Sequence, residues 1–108
     1  MKSIPNKLTE ININDGQKTF IATYGDLISL AIGYPKQGGF DYNDIINRGE
    51  ISKAVNAAKE KTPEENSIVE IQLENAPFDY LKKLVSETRW PFWHLGLVEF
   101  KDDISAVK

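Results

Sequence analysis

A single histidine and the absence of cysteine frame the chemistry open to this chain. Without cysteine there is no disulfide, no thiolate nucleophile and no zinc site built on sulfur. His94 then has only hydroxyl nucleophiles to activate, and a Ser-His-Asp arrangement needs a positioned serine. Ser29, Ser52, Ser67, Ser86 and Ser105 are present, but none stands in a Gly-x-Ser-x-Gly elbow. The ordinary reading of His94 is a capping or surface residue at the start of a helix. A pH-dependent role stays open, because imidazole titrates near neutrality.

Carboxylates offer a second kind of chemistry. Glu99, Asp102 and Asp103 could bind a hard cation, which prefers several carboxylates. Adjacent aspartates on a helix point in different directions, however, and no calcium-loop pattern surrounds them, so a solvated helix face is the better reading. Glu64-Glu65 reads as an ordinary turn. Asp41 and Asp44 stand beside Gly38-Gly39, where loop and cap chemistry explains them. Gly38-Gly39 itself lacks the Gly-Lys-Ser/Thr of a phosphate loop and the spaced glycines of a dinucleotide fingerprint. No residue is assigned a catalytic or metal-binding role, and no cofactor is expected.

The aromatic residues carry the strongest signal. Arg89 to Phe100 reads RWPFWHLGLVEF and holds both tryptophans of the chain and two of its five phenylalanines. Trp93, Leu97, Phe100 and Ile104 recur at the spacing of a buried helical stripe. Arg89, Trp90 and Phe92 fall outside that stripe at a proline corner, where Trp and Arg are favoured interface anchors. Tyr34, Phe40 and Tyr42 lie in or beside the glycine-containing loop YPKQGGFDYN and make it a second candidate partner-binding tip. The candidate partner-binding set is therefore Arg89, Trp90, Phe92, Tyr34, Phe40 and Tyr42.

The elements that must position these residues follow from periodicity. Ile11 and Ile13 alternate with polar residues, Asn14-Asp15-Gly16 is a hairpin turn signal, and KTFIATY is the return strand. Thr23 and Asp26 mark the start of a short helix bearing Leu27, Leu30 and Ala31, which stops at Gly33. A second helix starts at Asp41 or Asn43 and runs to about Lys61, with a break open near Arg48-Gly49 because glycine weakens a helix interior by about 1 kcal/mol. Thr62-Pro63 ends it, and Ser67 to Leu73 alternates as a third strand. Asn75 is expected to cap a third helix carrying Phe78, Leu81, Leu84 and Val85, and a fourth is expected over Phe92 to Ile104.

These elements make an α+β fold in a single domain spanning residues 1–108: an N-terminal β-hairpin plus a third strand, forming a small sheet packed against three to four helices. The formal net charge of −3 disfavours a dedicated nucleic-acid binder, which needs clustered lysine or arginine. The longest uncharged apolar run, Leu27 to Tyr34, is far short of the roughly 20 residues of a membrane helix. No secretory leader is visible, so synthesis is expected in a cytoplasm. Edge strands on so small a sheet leave self-association as a homo-oligomer open.

Three blocks, in order, carry a resemblance. YGDLISLAI (Tyr24 to Ile32) leads to GGFDYNDIINRGEISKAV (Gly38 to Val55), a Gly-Gly helix start with an arginine soon after. SIVEIQLENAPFDYLKKLVSETRWP (Ser67 to Pro91) ends in a Trp-Pro corner, and LVEFKDDI (Leu97 to Ile104) closes the chain. Together they resemble small accessory or virion-associated proteins encoded by tailed bacteriophages and prophages. The resemblance implies a non-enzymatic minor virion component or assembly factor that acts through contacts with another phage protein, made in the host cytoplasm and carried into the virion. A phage-encoded regulator or inhibitor that binds a host protein is the alternative.

Overall fold

The computed structural model describes residues 1–14, 16–61, 69–90 and 92–107. The elements run β1 (Lys2–Pro5), β2 (Leu8–Asn14), β3 (Thr19–Thr23), α1 (Tyr24–Gly33), α2 (Tyr42–Glu60), β4 (Glu70–Leu73), α3 (Asn75–Glu87) and α4 (Leu95–Ala106). The architecture is α+β, as composition and periodicity predict. The expected turn at Asp15, the helix stop at Thr62-Pro63, the Glu64-Glu65 turn and the start of the third strand lie outside the described residues.

The hairpin forms where the alternation places it. β2 and β3 pair antiparallel, with Ile13 opposite Phe20 and Asn14 opposite Thr19. The register shifts between Leu8 and Asn12, and there Thr9 replaces ladder bonds with its side chain: its hydroxyl donates to the Ala22 carbonyl at 2.7 Å and accepts from the Ile11 N–H at 3.1 Å. Strand β4 does not extend this hairpin. It pairs antiparallel with β1, a strand that alternation did not mark, and the two pairs form separate two-stranded sheets. The reason is visible in the register, which sets Ile4 against Ile71, both fully buried. Pro5 sits at the end of so short a strand that the N-terminal segment shows no periodicity of its own.

Helix α1 starts in a capping box. The Thr23 side chain accepts from the Asp26 N–H, and the Asp26 carboxylate accepts from the Thr23 N–H at 2.9 Å. Helix α2 starts in a second one, built from Asp41 and Asp44, and continues unbroken through Gly49. Gly49 faces open space, so its cost is local, while Ile51, Val55 and Ala58 bury the helix behind it. Helix α3 begins one residue before expectation: Asn75 is its first helical residue, and Glu74 precedes it without a side-chain cap. Helix α4 begins at Leu95, not Phe92, because His94 adopts an extended backbone and accepts the Gly96 N–H on its own Nδ1 at 2.9 Å. Trp93 therefore falls out of helical phase with Leu97 and Phe100 and is 80% exposed, where the stripe placed it in the core.

One core joins both sheets and all four helices. Helix α2 packs on β4, α1 and α3, while α4 packs on α3 and β2. At the start of α4, Gly96 leaves room for the Ile11 side chain of β2, which a Cβ there would meet at 3.3 Å. Phe100 is fully buried and meets the Tyr24 ring edge-on at 5.1 Å and the Trp90 ring at 6.2 Å. It thus ties α4 to α1 and to the α3–α4 connection. Phe100→Ala should lower the unfolding free energy by about 3–5 kcal/mol, measured by urea denaturation. A loss below about 1 kcal/mol would show that this ring is not a core member.

Candidate docking surface

Between α1 and α2 the chain runs through Pro35 to Phe40, turned by Gly38 and Gly39, whose φ angles of 85° and 84° favour glycine. Two contacts hold this loop down. The Lys36 ammonium donates to both Asp44 oxygens at 2.7 and 3.0 Å, and the Phe40 ring lies against the Arg48 guanidinium at 4.5 Å. Both contacts are made by the first two turns of α2, which the Asp41–Asp44 capping box sets in place.

Asp44 is the one charged side chain buried among the described residues, 3% exposed. Its carboxylate accepts from Lys36, from the Tyr80 hydroxyl of α3 at 2.6 Å and from the Asp41 N–H at 3.0 Å. Tyr80 in turn accepts from Arg48 Nε at 2.9 Å, and Arg48 Nη1 donates to the Ile32 carbonyl near the end of α1 at 2.6 Å. The network therefore links the end of α1, the start of α2, the middle of α3 and the loop. Lys36, Tyr80 and the Asp41 N–H all stabilise the ionised form of Asp44 and hold its carboxyl well below the usual range. Burial, then the bond to Asp44, pushes the Tyr80 phenol up, so it stays a donor at neutral pH. Every buried side-chain polar atom among the described residues has a hydrogen-bond partner. Chemically, then, the cluster is a closed structural tie.

Beside this tie lies a groove of about 920 Å³, lined by Tyr34, Lys36, Arg48, Tyr80, Lys83 and Arg89 among others. Two segments distant in sequence meet along it. The Tyr34 ring stands edge-on to Trp90 at 6.1 Å, and Trp90 contacts Phe92 at 6.2 Å. Tyr34, Trp90 and Phe92 thus form one continuous aromatic row, with Arg89 exposed at the groove. Trp90 is half-buried and packs on the core, so it supports the surface more than it protrudes. Phe40 is exposed beyond its contact with Arg48, and Tyr42 is 82% exposed on the first turn of α2.

Other candidates resolve differently. His94 is the cap of α4, as its position suggests. Asp103 departs from the solvated-face reading, because it accepts from the Tyr24 hydroxyl and pairs with Lys7 at 3.2 Å. These two partners, Tyr24 first, hold its carboxyl below the ordinary value. No group of three metal-ligating side chains occurs among the described residues. Sequence reasoning missed the Lys36–Asp44–Tyr80–Arg48 tie and the exposure of Ile45, Ile46, Trp93, Leu95 and Val98. The closeness of Asp41 and Asp44 to Gly38-Gly39 was the one available signal for the former.

No protein-family model, no curated protein and no solved structure matches this chain.

Because the folded pKa of Asp44 is depressed, its stabilisation is complete above the unfolded pKa and is lost as pH falls through the folded one. The urea-midpoint gap between wild type and Asp44→Asn should therefore be flat above about pH 5 and narrow below about pH 4. Tyr80→Phe removes one donor and one acceptor from the tie and should lower stability by about 1–2 kcal/mol at pH 7. A pH-independent gap for Asp44→Asn would show that the carboxylate is not held in its ionised form by these partners.

Proposed function

We propose that this protein is a non-enzymatic docking module that binds another protein through the surface formed by Tyr34, Phe40, Tyr42, Arg89, Trp90 and Phe92. The observation that carries the reading is the Tyr34–Trp90 contact, which joins a loop and a helix corner, far apart in sequence, into one aromatic face beside an open groove. Aromatic side chains and arginine supply large contact area and forked donors, which is why they dominate interface energetics. The polar tie behind them fixes the loop before any partner arrives, so little ordering entropy is lost on binding.

The likeness to small phage and prophage accessory proteins supplies the setting: a minor virion component or assembly factor, made in the host cytoplasm and contacting another phage protein. Mass spectrometry of purified particles should find the chain in fixed stoichiometry. Its presence only in infected-cell lysate, bound to a host protein, would replace the virion reading with that of a regulator. In either setting, Phe40→Ala and Tyr42→Ala should each weaken partner binding at least about tenfold; Tyr42→Ala should leave the melting temperature within about 2 °C of wild type, while Phe40→Ala, which also loses the Arg48 contact, should lower it by a few degrees. Unchanged binding in both variants would remove this face from the interface.

A further inference from the structure

We propose that the outer face of α4 is a second interaction surface whose occupant is another copy of this chain, packed antiparallel about a two-fold axis beside Val98. The face adjoins the aromatic row described above, since Trp90 and Phe92 also line its groove, but Trp93, Val98 and Lys101 belong to it alone. His94, Leu97, Val98 and Lys101 follow one another at helical spacing, and they line a second groove of about 660 Å³ between α4 and the end of α3, together with Trp93 and Asp102. Trp93 is 80% exposed, Leu95 59% and Val98 47%. The segment leading into α4 thus sets a protruding indole beside a groove lined by Leu97 and Val98 of the helix, the combination a two-fold contact requires of a single surface.

The polar residues say why a second copy fits better than a foreign partner. The surface has an aromatic end, Trp93 and His94 ahead of the helix, and a charged end, Lys101 and Asp102, with Val98 near its centre. An antiparallel pairing opposes the aromatic end of each copy to the charged end of the other. Lys101 then meets the face of the Trp93 indole, a favourable cation–π partner. His94 spends Nδ1 as the acceptor for the Gly96 N–H, so in the neutral ring the proton sits on Nε2. That N–H can donate to Asp102 of the second copy. Neither Lys101 nor Asp102 forms an ion pair among the described residues, so both remain free for these contacts.

The exposed parts of Trp93, Leu95 and Val98, with those of Lys101 and Asp102 beside them, amount to about 500 Å² per copy, given about 150–250 Å² for a whole aromatic side chain. Two copies would cover about 1,000 Å², the lower limit for a specific interface, a size at which association is expected to depend on concentration.

Sedimentation velocity from about 1 µM to about 300 µM should show a monomer–dimer transition in wild type. Trp93→Ala should shift its midpoint upward at least about tenfold. Val98→Arg sets two guanidinium groups against each other at the axis and should leave the chain monomeric throughout the range, with the far-ultraviolet circular dichroism of wild type confirming the fold. A wild-type monomer at the highest concentration would overturn the proposal, as would a dimer that neither substitution weakens. Because these substitutions avoid Phe40 and Tyr42, their failure would be distinguishable from failure of the docking surface.

Discussion

A buried carboxylate cannot remain ionised unless other groups replace the water it has lost. Asp44 meets that requirement with a lysine from a loop, a phenol from α3 and the backbone N–H of its own helix cap. Each partner belongs to a different part of the chain, so satisfying one charge fixes the relative positions of all three. Arg48 extends the constraint through Tyr80 to the last turn of α1. The walls of the large groove are the elements that this network holds.

The apolar core sets a coarser constraint. Ile4 against Ile71, and Ile51 with Val55 on α2, decide which faces turn inward, and Phe100 closes the far end against Tyr24 and Trp90. Packing alone tolerates sliding between helices better than a hydrogen-bonded tie does, because dispersion contacts have little direction. The two polar links, Asp44 with Tyr80 and Asp103 with Tyr24, each cross between elements that the core merely presses together. Directional bonds thus give a small domain a defined surface, and aromatic residues that the core has no room for are displayed on it.

Much of this arrangement was legible in the sequence because it is written locally. The hairpin, the Thr23–Asp26 box, the Asp41 cap and the Val85 side of α3 all follow from residues within a few positions of one another. The failures share the opposite cause. Strand β1 is four residues long and exists through its pairing with β4, about seventy positions away. The Trp93 stripe failed because a single cap at His94 moved the helix start by three residues and put the indole out of phase. Tyr80 and Arg48 looked like ordinary polar positions on amphipathic helices, since nothing near them in sequence discloses the buried aspartate they serve. The aromatic candidate residues were found by type, but that Tyr34 and Trp90 touch is a fact of tertiary structure.

The central claim is that the corner after α3 displays its aromatics while the core anchors them. The two tryptophans separate these roles, since Trp90 is packed and Trp93 is open. Acrylamide quenching of tryptophan fluorescence in dilute protein, comparing Trp90→Phe with Trp93→Phe, measures each indole alone. The account predicts red-shifted, efficiently quenched emission from Trp93 and blue-shifted, protected emission from Trp90. A protected Trp93 in the dilute monomer would contradict it, because the corner would then be part of the core.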